Sequence, residues 1–246
     1  MENNPLTGAG YLLRGLRLLT KPGLRPFVLI PLIVNVLVFS LLIWLGVDQF
    51  EQLMDRFLPS DESWLYWLRW LLWPLFAITL VLIIFYTFTV IANLIAAPFN
   101  GLLAEKVELH LGGELPNQPS GAKQMVKDVI PSLLSELRKL VYFLIRAIPL
   151  LILFLIPLLN IAAPFLWMAF SAWFLALEYG DYPMANHKLA FKQQHRRLKQ
   201  ARFSSLIFGG TLTLMMMVPV LNFIAMPAAV AGATIFWHER LRHIES

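Results

Sequence analysis

The chain has 246 residues, of which 58% are hydrophobic and only 14% are charged, and its formal net charge is +5. Because a soluble domain averages about 25% charged residues, this composition indicates a protein that lies in a lipid bilayer. The absence of cysteine excludes disulfides, thiolate chemistry and cysteine-ligated metals. The positive charge is typical of the cytoplasmic loops of a membrane protein, and we do not expect nucleic acid as a partner.

Four long segments contain no charged side chain. They cover residues 26–47, 70–104, 147–177 and 203–237. An apolar run of about 18 residues or more is typical of a helix that spans a bilayer. The sequence therefore predicts an all-α integral membrane protein, organised as a single membrane domain over residues 1–246.

Residues 1–25 predict a short amphipathic helix followed by a turn. Apolar side chains recur at helical spacing from Tyr11 to Leu19, whereas Arg14 and Arg17 lie on another face. This pattern predicts a helix that lies in the membrane interface. A helix packed against the cytoplasmic side of the protein itself is the alternative.

The turn that follows is the strongest candidate for a binding site. Pro22 and Gly23 end the first helix, and Pro26 is well placed as the first residue of the next one. Free N–H groups and the positive end of the helix dipole lie at such a helix start and favour anions. Arg25 adds a planar set of donors suited to oxyanions, and Lys21 adds a second charge. The alternative for these cations is a positively charged anchor at the membrane surface.

Residues 26–104 predict two long transmembrane helices. The connection between them, residues 48–69, holds five acids against two arginines. Four tryptophans follow at the entry to the second helix, as expected of an aromatic belt at a water interface. These tryptophans are Trp64, Trp67, Trp70 and Trp73.

Two basic regions flank the third uncharged segment. Residues 105–146 predict a cytoplasmic helical region with an amphipathic helix over 126–144, and residues 178–202 predict a basic cytoplasmic segment. Each region holds six Lys and Arg residues, and such an excess marks the cytoplasmic side. A single crossing by residues 147–177 would place them on opposite sides, and two full crossings need about 40 residues. The 31-residue segment therefore predicts hairpin one, which enters the bilayer partway and returns.

A proline and an asparagine mark the predicted bend in each of the last two segments. Pro157 and Asn160 lie in hairpin one, and Pro219 and Asn222 lie in residues 203–237, which predict hairpin two. Proline breaks the helical hydrogen-bond pattern, and asparagine tolerates turn conformations. Irregular backbone at this depth lies within protein or lines a wet cavity, so both asparagines are candidate path residues, and capping of the hairpin bend is the alternative role for each. Two ordinary spans with proline kinks are the alternative.

The acidic residues at the mouths of the segments are further candidates for a polar path. Glu105 follows the second segment directly, and Glu178 and Asp181 follow the third. A carboxylate at that depth pairs with a cation or faces a cavity. Ion pairs with Arg146, Lys188 or Arg25 are the simpler explanation.

Enzyme motifs are missing from the sequence. It contains no phosphate-binding glycine loop, no zinc-hydrolase helix motif and no nucleophile elbow. The scattered histidines are typical of interface residues rather than of metal ligands. We therefore predict no catalytic residue, no cofactor and no metal site.

Three motifs in this order resemble the CysZ sulfate permease family, part of the etoposide-induced-protein superfamily. They are the Gly-Leu-Arg at 23–25 before Pro-Phe-Val-Leu-Ile-Pro-Leu-Ile-Val-Asn, the stretch Ala-Ala-Pro-Phe-Asn-Gly-Leu-Leu-Ala-Glu-Lys-Val-Glu at 96–108, and Leu-Glu-Tyr-Gly-Asp-Tyr-Pro at 177–183. The resemblance implies sulfate uptake across the bacterial inner membrane for cysteine biosynthesis. It also implies two long transmembrane helices with two partly penetrating hairpins, and a homo-oligomer, from dimer to hexamer.

The resemblance also implies that sulfate binds at Gly23, Leu24 and Arg25. Some relatives carry a second arginine directly after the first, where this chain has Pro26. We expect Lys21 or a neighbouring subunit to compensate. A transporter of another sulfur oxyanion, such as sulfite or thiosulfate, and a non-transporting membrane scaffold are the alternatives.

Overall fold

The computed structural model describes residues 7–57, 66–114 and 122–244. Within these ranges the chain is helical and contains no β-strand, so the predicted all-α class is confirmed. The helices are α1 (Thr7–Leu18), α2 (Pro26–Phe57), α3 (Tyr66–His110), α4 (Ala122–Leu153), α5 (Ala163–Asn186), α6 (Phe191–Gln200), α7 (Arg202–Met216) and α8 (Pro219–Glu239). Short 3-10 turns cover Leu159–Ile161 and Leu241–His243.

The described residues form two compact units. Residues 26–99 form one unit, and the residues on either side of that range form the other. The first unit therefore holds α2 and most of α3, whereas the second holds α1, the last turns of α3 and the five helices that follow.

The unit of α2 and α3 is built from two long apolar helices. Pro26 begins α2, as predicted, because proline lacks an N–H that the first turn would leave unpaired. Phe50 of α2 stacks on Phe76 of α3 at 3.9 Å, and Trp73 packs edge-on at 5.0 Å. Among the described residues, Pro26–Gln52 is the one helix with the length and apolar composition to cross a membrane. A second crossing by α3 stays a prediction.

Helices α4 and α5 form an antiparallel pair around the predicted bend of hairpin one. Trp173 Nε1 donates to Tyr142 Oη at 2.7 Å, and Phe143 packs on Phe170 and Phe174. The chain reverses between Leu153 and Ala163, where Leu158 adopts a φ of 71°.

The helix boundaries differ from those predicted around hairpin one. Helix α4 runs through the predicted border at 146/147, and α5 continues to Asn186. Helix α3 likewise extends beyond residue 104 to His110. The borders were predicted from the change in charge content, which reports the surrounding solvent. Helix continuity depends on backbone hydrogen bonding, which that change does not interrupt.

Helices α7 and α8 form the second antiparallel pair. Arg240 Nη1 donates to Ser204 Oγ at 2.7 Å, and Phe208 lies 6.3 Å from Phe236. The chain reverses at residues 217–218, and Pro219 is the first residue of α8. Both predicted bends thus coincide with helix–turn–helix reversals, whereas the depth of either hairpin in a bilayer stays a prediction.

Small residues bring α1 close to hairpin two. A Cβ at Gly15 would lie 2.5 Å from the Ala228 carbonyl oxygen, and one at Gly8 would lie 2.7 Å from the Phe208 nitrogen. Tyr11 stacks on Phe236 at 4.9 Å. The apolar face of α1 is therefore buried against α7 and α8, which favours the protein-packed alternative over a helix that rests on lipid.

Candidate functional site

The segment between α1 and α2, residues 19–25, forms a closed turn that we call the α1–α2 turn. Lys21 N donates to Leu18 O at 3.0 Å, and Leu24 N donates to Lys21 O at 3.3 Å. Gly23 has a φ of 93°, in the left-handed region that side chains rarely adopt. Leu24 is buried, whereas Lys21, Gly23 and Arg25 are exposed. The turn thus presents one glycine backbone and two cations to the surroundings.

A single hydrogen bond orients Arg25. Its Nε donates to the carbonyl oxygen of Thr20 at 2.6 Å. Thr20 is itself held by its hydroxyl, which donates to Arg17 O at 2.8 Å. In the described part of the chain, no hydrogen bond or ion pair uses the two terminal nitrogens of Arg25. They form the edge of the guanidinium that can donate two parallel hydrogen bonds to an oxyanion.

The charges around the α1–α2 turn favour an anion. The sequence holds no acid between Glu2 and Asp48, and within that interval it holds Arg14, Arg17, Lys21 and Arg25. Arg14 is neutralised by Glu239, because both of its terminal nitrogens donate to the Glu239 carboxylate, one of them at 2.9 Å. Lys21 makes no ion pair with a residue that the structure describes. Two exposed cations therefore remain at the turn itself.

The direction of α1 places the turn relative to hairpin two. Gly8 lies beside Ser204 and Phe208, near the start of α7, whereas Gly15 lies beside Ala228 of α8. Helix α1 therefore runs from the basic end of hairpin two toward its reversal. The α1–α2 turn follows in that direction, toward the end of the hairpin that carries Asn222.

Asn160 lies within the reversal of hairpin one, whereas Asn222 follows the reversal of hairpin two and is helical rather than part of the bend. Asn160 is exposed in the 3-10 turn of hairpin one, and its backbone N–H donates to Ile156 O at 3.0 Å. Asn222 is exposed in the first turn of α8. Their neighbours are apolar and exposed, including Leu158 at 84% and Met217 at 72%. The asparagine side chains thus bring polar atoms to otherwise apolar tips.

Two of the predicted acids belong to a buried ion-pair cluster. Lys139 of α4 donates to Asp181 Oδ2 at 2.9 Å and to Glu178 Oε2 at 3.4 Å, and its side chain is 4% exposed. Gln194 of α6 donates to Asp181 and to Leu189 O. The structure thus assigns these acids a cation other than the three proposed from the sequence. Glu105 is half-buried on α3 and is not part of this cluster.

A second buried carboxylate was not singled out from the sequence. Glu108 of α3 is 1% exposed and accepts hydrogen bonds at Oε1 from His187 at 2.8 Å and from Trp237 at 3.3 Å. It thereby links the ends of α3, α5 and α8. The signal that could have found Glu108 and Lys139 is a charged residue on the apolar face of a helix. Lys139, Phe143 and Ala147 follow one another at four-residue spacing on α4.

Burial shifts the pKa values of several groups at this end of the molecule. Desolvation raises the pKa of Tyr179, with smaller contributions from Tyr182 and Glu178. Desolvation lowers the pKa of His195, and the charges of Arg146 and Lys199 lower it further. His195 packs against the rings of Tyr142 and Trp173, which accounts for its loss of water. The neutral imidazole is therefore favoured in the folded chain.

Comparison with known proteins identifies the family. The family model described as sulfate transporter CysZ/etoposide-induced protein 2.4 matches residues 11–227. The chain belongs to this family. A protein of Pseudomonas fluorescens strain Pf0-1 described as "Sulfate transporter CysZ" is 47% identical over 94% of this chain and 93% of its own length. One from strain SBW25 with the same description is 49% identical, over 94% and 91%.

The similarity extends beyond the pseudomonads. A Pectobacterium atrosepticum protein, also described as "Sulfate transporter CysZ", is 41% identical over 98% of this chain and 87% of its own length. Membership of the CysZ family implies that the chain is a membrane protein of a transporter family. The family match includes the α1–α2 turn, hairpin one, the Lys139 cluster and hairpin two as far as residue 227.

Proposed function

We propose that this chain is a sulfate permease of the bacterial inner membrane. The observation that carries the proposal is the similarity over nearly the full length to proteins described as sulfate transporters. The exposed cations of the α1–α2 turn support it, because a transported dianion needs a docking site with charge-assisted donors. Sulfate delivered to the cytoplasm would supply cysteine biosynthesis.

In this proposal, sulfate docks at Gly23, Leu24 and Arg25, with Lys21 as a second charge. The terminal nitrogens of Arg25 donate to two sulfate oxygens, and the backbone N–H groups of Gly23 and Arg25 replace part of the hydration shell, since that of Leu24 already donates to Lys21 O. The exposed glycine leaves room for the ion, because a Cβ at Gly23 would have no neighbour within 4 Å. A hydrogen bond to a charged group contributes about 1.5–3 kcal/mol, so the site binds sulfate reversibly.

From the turn, sulfate passes along a polar route between the hairpins and subunits. Asn160 and Asn222 offer donors at the apolar tips, and Glu105 is a half-buried acid outside the ion-pair cluster. Glu178 and Asp181 act in this scheme as structural partners of Lys139 rather than as ligands of a dianion. We further propose that the permease works as a homo-oligomer, from dimer to hexamer.

The test measures sulfate binding and sulfate uptake with purified protein in liposomes. Arg25→Ala should weaken sulfate binding roughly 10- to 100-fold, which corresponds to the loss of about one charge-assisted hydrogen bond. Arg196→Ala is the matched control, because Arg196 is an exposed arginine of α6. Equal binding by the two variants would refute the assignment of the docking turn.

The same preparation separates the alternative functions. Sulfite and thiosulfate compete with labelled sulfate in proportion to their own affinity, so an ion that displaces sulfate at lower concentration is the preferred substrate. Protein that is folded and inserted but moves none of the three anions would support the scaffold and would contradict the permease.

A further inference from the structure

The α1–α2 turn is continuous with a helix that is fixed to hairpin two. The Gly15 backbone leaves no space for a side chain, since a Cβ there would lie 2.7 Å from Gly232 Cα as well as 2.5 Å from Ala228 O. Gly232 faces α1 in the same way, with a Cβ position 2.8 Å from Tyr11 O. The two backbones are therefore in direct contact, and α1 cannot shift without moving against α8.

An exposed ion pair also joins α1 to α8. Arg14 donates to Glu239 through both terminal nitrogens, a planar geometry that sets orientation as well as distance. Glu239 lies at the last residue of α8, and Arg14 precedes Gly15 on α1. The pair also neutralises Arg14, whereas the two cations of the turn, Lys21 and Arg25, stay exposed.

Short-range hydrogen bonds connect this contact to the guanidinium of Arg25. Leu19 N donates to Gly15 O at 3.2 Å, and Thr20 Oγ1 donates to Arg17 O at 2.8 Å. Thr20 O in turn accepts from Arg25 Nε at 2.6 Å. A displacement of α1 at Gly15 is therefore passed to the group that is proposed to bind sulfate, within ten residues of chain.

We propose that hairpin two positions the sulfate-docking turn through α1, with Gly15, Arg14 and Glu239 as positioning residues. The inference rests on the proposed function and adds a requirement to it. The affinity for sulfate then depends on residues that do not themselves contact sulfate. Arg25 is thereby held at a fixed position along hairpin two, which is proposed to line the path. Sulfate is therefore released at one fixed level of that path.

The decisive comparison is between two alanine substitutions on the same helix. In Gly15→Ala the new methyl group overlaps the backbone of α8, so α1 must move by roughly half an ångström or more. In Gly10→Ala the new methyl group has no neighbour within 4 Å. We expect Gly15→Ala to raise the Kd for sulfate about 10-fold, because small displacements of a binding group are costly, and Gly10→Ala to leave it unchanged.

A second variant keeps the test decisive if Gly15→Ala does not fold. Glu239→Gln removes the charge of an exposed ion pair, which contributes little to stability, so the melting temperature should stay within a few degrees of the parent. We expect its Kd for sulfate to rise about 2- to 5-fold, with the maximal uptake rate unchanged, and Glu239→Asp to recover most of the affinity.

The measurements use the full chain in lipid nanodiscs, with labelled sulfate as the probe. If folded Gly15→Ala binds sulfate as Gly10→Ala does, or if Glu239→Gln does so when Gly15→Ala is unfolded, the positioning role is wrong. If Arg25→Ala loses sulfate binding alongside either result, the proposed docking of sulfate at the α1–α2 turn would stand without the positioning role. Absence of sulfate binding in the parent chain would instead overturn the proposed function and the positioning role with it.

Discussion

At the scale of single residues, the conformation of Gly23 is specific to glycine. Its φ of 93° lies in a region where a Cβ clashes with the backbone, at a cost of about 1–2 kcal/mol for an L-residue. Space is not the constraint, because a Cβ there would have no neighbour within 4 Å. Gly23→Ala should therefore distort the α1–α2 turn, and we expect sulfate affinity to fall several-fold.

The chain offers a matched control for this substitution. Gly112 has a φ of 76° and equally open surroundings, but it lies after α3, away from the turn in sequence. Gly112→Ala should lower the melting temperature by a similar amount and leave the Kd for sulfate unchanged. Equal affinities in the two variants would mean that the conformation of Gly23 does not serve binding.

Lys139 is the residue whose loss we expect to destabilise the fold most. Its buried ammonium is paired with Asp181 and Glu178, and Lys139→Met would leave a carboxylate without its partner. Breaking a buried pair from one side costs about 3–5 kcal/mol. The melting temperature in detergent should fall strongly, whereas the exposed Lys192→Met should change it little.

A compensating change separates ion pairing from packing at this cluster. Adding Asp181→Asn to Lys139→Met removes the unpaired charge, and Glu178, which is about one-third exposed, keeps its access to water. The double variant should therefore be more stable than Lys139→Met alone. Additive losses in the two single variants would contradict the electrostatic explanation.

At the scale of helices, the sequence predicted where the chain reverses, but it did not predict which side chains pair across a hairpin. Proline and asparagine are local signals of a bend, so the reversals near Pro157 and Pro219 could be located. The cation beside Asp181 could not, because Lys139 lies 42 residues earlier and nothing in local spacing selects it over Arg146 or Lys188. Pairing across a hairpin depends on the register of its helices, which folding determines.

The packing partner of α1 likewise could not be predicted from local sequence. Its amphipathic pattern predicted a buried face but not the surface that covers it, since lipid and protein select the same apolar residues. The glycines on that face were the missed signal. Gly8 and Gly15 lie seven residues apart on one side of α1, and small residues at such spacing allow close approach of another helix.

The crossing of α5 and α7 gives the sharpest prediction at this scale. A Cβ at Gly209 would overlap the carbonyl group of Ala172, with its carbon at 2.6 Å, whereas a Cβ at Gly210 would lie 3.8 Å from the Ala172 side chain. Gly209→Ala must therefore separate the helices and should cost about 1–3 kcal/mol. Gly210→Ala should be neutral or slightly stabilising, because alanine favours the helix.

Thermal unfolding of the two variants in the same detergent tests this prediction. Neighbouring positions, identical substitutions and the same helix leave the contact with Ala172 as the difference between them. A melting temperature of Gly209→Ala equal to that of Gly210→Ala would mean that α5 and α7 do not touch at this point.

At the scale of the whole molecule, contacts within hairpin one support the prediction that the two basic regions lie on one side of the membrane. Lys139, near the end of one basic region, is bonded to Glu178 and Asp181, at the start of the next. The two regions that the sequence assigned to one side of the membrane are thus in direct contact. Any arrangement in a bilayer that keeps this cluster must keep both regions on one side, whichever side that is.

The absence of cysteine makes this topology directly measurable, because an introduced cysteine is the sole thiol in the chain. Arg138→Cys and Lys192→Cys replace exposed residues in the two basic regions, and Leu158→Cys replaces an exposed residue at the tip of hairpin one. We expect a membrane-impermeant thiol reagent to modify the first two to the same extent from a given side of sealed vesicles. The tip should resist the reagent from both sides, because partial penetration leaves it in hydrocarbon.

Modification of Arg138→Cys and Lys192→Cys from opposite sides would establish a single crossing by hairpin one and would be incompatible with the Lys139 ion pair. A tip that reacts from the side opposite to the basic regions would show instead that the hairpin passes through the bilayer.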